Sequence, residues 1–213
     1  MSSTGSAGAT PTLTDGRVLL RALREDDATS LAEQFADPES RRWTTTSDPF
    51  DTEFGARSYL RRVERDTARA EGPRHWAVEW RDGDATRFGG YVDLHPHDHT
   101  SAGIDFGLHP ASRGRHVMSA AVRLVCRWWF DQGGQHVTWF AEAGNLASWQ
   151  VVRACGFRFG QVVTMYLPPP TGPVEGWVAT VGRDDDLAHP AEESEPEAVL
   201  AARHHDSPLP AIA

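Results

Sequence analysis

The chain has 213 residues, 39% of them hydrophobic, which suits one globular domain with a substantial core. Its formal charge of −9 is unevenly spread: residues 183–213 hold eight carboxylates against two arginines, leaving −3 for the first 182 residues. A near-neutral folded part excludes a broad basic face for nucleic acid, and no apolar run approaches the length of a membrane span.

The two cysteines, Cys126 and Cys155, form neither a CxxC pair nor a disulfide framework and point to a reducing, cytoplasmic setting. Residues 1–11 lack the charged and apolar segments of a signal peptide and read as a disordered leader. "GRVLLRAL" (16–23) alternates as a first strand. A helix follows, capped at Asp26 or Asp27, and a second runs from a cap near Asp51 to Gly72. Residues 74–81 and 86–94 read as a hairpin turning at Asp82-Gly83-Asp84. "SAGIDFGLHP" is a short strand stopped by Pro110.

In the next helix Val117, Ala121, Leu124, Val125 and Trp128 share one face, and Gly133-Gly134 ends it. "HVTWFAEA" is a strand. Asn145 caps the helix "LASWQVVRAC", with Gly156 as its left-handed stop. "FRFGQVVTMYL" and "EGWVATVG" complete the sheet. The order β-α-α-β-β-β-α-β-α-β-β places the chain in the mixed α/β (α+β) class. Residues 12–182 form the domain, and the acidic, Pro- and Ala-rich tail 183–213 reads as unable to fold on its own.

"PASRGRHVMSAAVRL" (110–124) carries the chemistry. A strand ends at Pro110 and a helix opens a few residues later. The first N–H groups of a helix lack internal partners, and its dipole favours an anion there. Arg113 and Arg115 add positive charge, so the loop suits a pyrophosphate. His116 and Met118 stand where such a loop favours small residues. "DLHPHDH" (93–99) sets His95, His97 and His99 between two strands. With no cysteine partner and no helical HExxH spacing, it reads as a polar hairpin rather than a metal site.

The run "RGRHVMSAAVRL", then a strand, then "GNLASWQVVRACGFRFGQ", with "LLRALREDD" near the start, resembles the GCN5-related N-acetyltransferases (GNAT). The likeness is nearest to the ribosomal-protein alanine acetyltransferases of RimJ/RimL type and covers residues 12–182. It implies a central mixed sheet of about seven strands flanked by helices, with a splayed fourth and fifth pair. It further implies acetyl-CoA as cosubstrate, bound by Leu108, by the loop and first turn Arg113, Gly114, Arg115, His116, Val117, Met118 and Ser119, and by Asn145. No metal is implied.

Acetyl transfer from a thioester needs a neutral amine, a donor to the carbonyl oxygen, and a proton for the leaving thiolate. The family places a Glu on the fourth strand; here that position falls on Gly103. Asp105, two residues on, faces the same side and is the candidate base or amine-binding carboxylate, with Glu142 second. Ser148 matches the thiolate's proton donor. Trp43, expected in a loop between the first helices, is a candidate wall of the acceptor pocket. Two readings follow: an N-acyltransferase working by direct ternary-complex transfer, or a non-catalytic acyl-CoA-binding module. The amine's identity and a homodimer are both left open.

Overall fold

Val18 and Leu20 are fully buried between more exposed neighbours in an alternating strand, whereas the central strands are buried on both faces, with Val92, Asp93 and Leu94 buried in succession. The computed structural model describes residues 9–44, 50–69, 71–167, 171–191 and 196–206. Its strands are β1 Leu13–Thr14, β2 Val18–Ala22, β3 Arg74–Asp82, β4 Ala85–Pro96, β5 Ser101–Leu108, β6 His136–Glu142, β7 Arg158–Leu167 and β8 Gly172–Gly182. Its helices are α1 Ala28–Ala36, α2 Pro38–Trp43, α3 Glu53–Thr67, α4 Val117–Asp131, α5 Leu146–Arg153 and α6 Glu197–Asp206.

The strands form one sheet in the order β1-β2-β3-β4-β5-β6-β8-β7, antiparallel except for β5 with β6. The expected seven strands are present, and the two-residue β1 is added at the edge. Two apolar clusters cover the faces. The larger packs α4 and α5 against Val92, Leu94, Ile104 and Val137; the smaller joins α1 and α3 through Leu31, Phe35, Tyr59 and Leu60. None of the helices among the described residues is long and apolar enough to cross a membrane.

Local chemistry explains the departures from expectation. Helix α2 stands where the sequence predicts a loop. Asp37 caps it by accepting from Ser40 N at 2.9 Å, and Pro38 occupies its first position. Helix α3 is capped by Thr52 rather than Asp51, its hydroxyl accepting from Gly55 N. Helix α4 buries more than one stripe: Met118, Val122, Cys126, Trp129 and Phe130 are buried, while Leu124 and Trp128 sit at the margin.

The acidic tail, expected not to fold on its own, packs in part against the domain. Leu187 and Val199 join the larger core, and Arg123 donates to the Leu187 carbonyl at 2.7 Å. Gly156, at φ 81°, lets this segment approach closely: a Cβ there would lie 2.3 Å from the Asp186 carbonyl oxygen. A few well-placed apolar residues dock a segment whose average composition is polar.

Candidate active site

Strands β5 and β6 pair in parallel only from Ser101–His136 to Ile104–Trp139. Beyond that they part, so the expected splay is present. The gap opens into a cavity of about 470 Å³ lined by Asp105 to Leu108 of β5 and Trp139 to Glu142 of β6. Helices α1 to α3 wall it on one side, and the start of α5 on the other.

The loop before α4 is not the simple helical turn that the sequence suggested. Gly114 has φ 71° and His116 has φ 56°, ψ 20°, so His116 adopts the left-handed conformation usual for glycine. The first intrahelical bond runs from Ala120 N to the His116 carbonyl, which leaves Val117, Met118 and Ser119 with N–H groups free of helical partners. Such free donors at a helix N-terminus suit an anion. Trp80 donates to Ser112 Oγ at 2.8 Å, and Arg17 donates to the Arg115 carbonyl at 2.7 Å, fixing the loop.

Both arginines have other partners. Arg113 binds the Asp37 carboxylate and Ser40 Oγ, holding the Asp37 carboxyl down at about 2. Arg115 lies over the Trp80 ring, 4.8 Å from its centroid, and 3.8 Å from Asp82. Met118 is buried and lines the cavity, as do Leu108 and Arg113; Gly114, Arg115, His116, Val117 and Ser119 do not.

Asp105 is the first β5 residue past the last β5–β6 pair and reaches the cavity. Its carboxylate lies 3.3 Å from His95 Nε2, and this contact, with help from Asp93, raises the pKa of His95 despite partial burial. Asp93 pairs in register with Asp105 on one side and His75 on the other. It is 6% exposed, and Tyr59 donates its hydroxyl to Asp93 Oδ2 at 3.3 Å. Burial, reinforced by Asp93, pushes the Tyr59 and Tyr91 phenols upward and keeps them neutral. At Gly103 the His97 ring takes the space: a Cβ there would lie 3.2 Å from His97 Nε2.

Ser148 and Asn145 stand together at the start of α5. Asn145 Oδ1 accepts from Ser148 N at 3.2 Å, so it is the cap, and it also lines the cavity. Ser148 Oγ accepts from the Trp139 indole at 3.0 Å, which leaves its own O–H free to donate elsewhere. Glu142 lines the same cavity at the end of β6. Trp43 ends α2 rather than lying in a loop. It donates to Glu39 at 2.8 Å and reaches across to Gly144, where a Cβ would lie 3.8 Å from its ring edge.

Cys126 and Cys155 are buried, and burial pushes their thiols up, Cys155 to about 12. Neither is a nucleophile at neutral pH. Among the described residues no three His, Cys, Asp or Glu side chains are grouped to hold a metal. Sequence reasoning missed Asp93 and Tyr59 and took His95 for loop. The signal was the alternation in "YVDLHP", which puts Tyr91, Asp93 and His95 on one strand face.

Comparison with known proteins agrees with this architecture. A family model described as "Acetyltransferase (GNAT) domain" matches residues 17–158. No curated protein sequence matches the chain. Among solved structures, Mycobacterium smegmatis RimJ in complex with CoA-disulfide is 18% identical with a TM-score of 0.71, covering 93% of this chain and 96% of its own. A GNAT-family acetyltransferase from Bacillus anthracis is 13% identical with a TM-score of 0.69, covering 82% and 100%. The microcin C7 self-immunity acetyltransferase MccE, in complex with acetyl-CoA and AMP, is 13% identical with a TM-score of 0.69, covering 79% and 93%.

Proposed function

The chain belongs to the GNAT acetyltransferase family, and from that premise we propose that it moves acetyl from acetyl-CoA directly to a primary amine, of a protein N-terminus or a small molecule, in the manner of the RimJ/RimL-like branch. The observation that carries the reading is the end of β5–β6 pairing at Ile104–Trp139, with Asp105 as the next β5 residue. Past that point the β5 edge has no strand partner in β6, so its backbone groups are available to a thioester lying in the gap.

The residues divide the work. The N–H groups of Val117 to Ser119 hold the pyrophosphate, with the helix dipole behind them. Asp105, backed by His95 at 3.3 Å, takes the proton that the acceptor ammonium must lose before it attacks. Ser148, its Oγ pinned by Trp139, gives its hydroxyl proton to the departing thiolate and regains one from the nitrogen, which sheds its second proton as the amide forms. Trp43 and Tyr59 wall the acceptor side, and Glu142 stands across the gap as the second carboxylate. The buried cysteines favour direct transfer over an acyl-enzyme route.

The test is calorimetric titration with acetyl-CoA, followed by a thiol-release assay over a panel of peptide N-termini and small amines. The expected result is binding, plus release that depends on the amine and yields an N-acetylated product by mass. Binding without turnover on any amine contradicts the reading.

A further inference from the structure

A second cavity, of about 430 Å³, lies between β3, the turn after β2, and α3. His75 lines it and is 6% exposed, yet neither of its ring nitrogens has a hydrogen-bond partner. The Thr10 and Thr67 hydroxyls line the same cavity and are also buried without partners. Buried polar atoms are rarely left this way, and their placement on one cavity suits bound water.

His75 also borders Asp93, which lines the first cavity. Its Nδ1 lies 2.9 Å from Asp93 Oδ1, close but off the direction of a hydrogen bond. Its ring meets that of His95 edge to face at 5.8 Å, and His95 reaches Asp105 at 3.3 Å. His75, Asp93 and Asp105 are register partners on β3, β4 and β5. Titratable groups therefore cross three strands from the first cavity to the second.

We propose that this row is a proton outlet, by which His75 delivers the proton lost by the acceptor amine to water in the second cavity. The proposal rests on the reading of Asp105 as the proton's first acceptor. The ammonium gives one proton to Asp105. The Asp105–His95 pair passes one on, past Asp93, to His75 as the ring of either histidine turns. His75 releases one to water, and every group returns to its starting state. The Asp105 side chain is 63% exposed in the empty cleft, and the outlet serves when acceptor and cosubstrate cover it. His75 acts through its neighbours and does not touch the reacting atoms.

The surroundings of the row are mixed in charge. Tyr59 from α3 and Tyr91 from β4 flank it as neutral phenols, and Asp66 acts on His95 from α3. Arg24 and Glu25 face the second cavity from the turn after β2, and Arg57, Arg61 and Glu64 face it from α3.

The test has two arms, both on the full chain. NMR of the imidazole carbons follows the titration of His75 and His95 in the wild type and in Asp105→Asn. A continuous row moves both midpoints; movement of His95 alone overturns the outlet. In the second arm, His75→Gln and His75→Ala are assayed with acetyl-CoA and an accepted amine. The expected result is a fall of about tenfold in kcat, an altered pH profile, and an unchanged KM for acetyl-CoA. Added imidazole should restore His75→Ala, whose missing ring opens onto the second cavity, and should not restore His75→Gln. Should His75→Ala fail to fold, the pH profile of His75→Gln decides. Wild-type kcat, or a loss with an unchanged pH profile and no rescue, overturns the outlet alone. Absence of thiol release by the wild type overturns the acetyl-transfer reading and the outlet with it.

Discussion

Arg113 and Asp37 tie the loop that opens α4 to the helix that roofs the acceptor side of the cleft. The guanidinium engages both Asp37 oxygens and Ser40 Oγ, while Asp37 also caps α2. With the carboxyl held at about 2, the pair persists across the working pH range. If the loop holds pyrophosphate as proposed, the anion competes with Asp37 for Arg113. Asp37→Asn keeps a capping side chain and removes the charge. We expect acetyl-CoA to bind up to about fivefold tighter, the scale of one exposed ion pair, and the KM for the amine to rise as α2 loosens. Calorimetry and steady-state kinetics check both. Weaker acetyl-CoA binding means that Asp37 holds Arg113 in place for the phosphate.

His116 is the one non-glycine residue with positive φ among the described residues. The left-handed conformation costs an L-residue about 1–2 kcal/mol, and a glycine there loses about 0.5–1 kcal/mol in chain entropy. His116→Gly should thus raise the melting temperature by about 1–4 °C in a domain of this size. It should leave acetyl-CoA affinity equal or greater. A large loss of affinity in calorimetry identifies the imidazole as a ligand of the cosubstrate.

The tail contributes stability through Leu187 and Val199, both in the larger core. Burial of each is worth about 1.5–3 kcal/mol. Truncation after Arg183 should lower the melting temperature by on the order of 10 °C, and Val199→Ala alone by a few degrees. Calorimetric melts of the truncated chain decide this. An unchanged melting temperature means that the docked tail adds nothing to stability.

The raised pKa of His95 links stability to pH. A group whose folded pKa lies above its unfolded value stabilises the fold below the unfolded value, about 6.5 for histidine. That contribution fades as pH rises through the folded midpoint. The melting temperature of the wild type should therefore exceed that of His95→Gln most at pH 5–6, and the gap should narrow toward pH 9. A gap that is flat with pH means that the Asp105 contact is not an ion pair in solution. The raised pKa has Asp105 as its first cause, so Asp105→Asn should lower the NMR midpoint of His95.

Much of this molecule was legible in its residues. Turn chemistry at Asp82-Gly83, the Asn145 cap and the Gly156 stop give local signals that no tertiary contact overrides. The splay of β5 from β6 follows from family resemblance, not from the residues themselves, and its start past Ile104 shows only in the register. Asp93 was hidden because a carboxylate in an alternating strand looks like its solvent face; only the hydrogen bond from Tyr59 shows that α3 covers this face. The conformation of His116 was hidden for a related reason. The geometry belongs to the loop, and nothing in an imidazole announces it. Helix α2 had its signal in Asp37-Pro38, a cap followed by proline, within a segment too short for periodicity to show.

Asp105→Asn tests the central claim most directly, because it keeps the shape at the strand split and removes the base. With acetyl-CoA and an accepted amine, kcat should fall by roughly 10²–10⁴-fold, the usual weight of a general base. Acetyl-CoA affinity should hardly move, and the acidic limb of the pH–rate profile should be lost. An unchanged kcat with a raised KM for the amine makes Asp105 a binding carboxylate. A variant with wild-type kcat, KM and pH profile contradicts the account and turns the search for the base to Glu142.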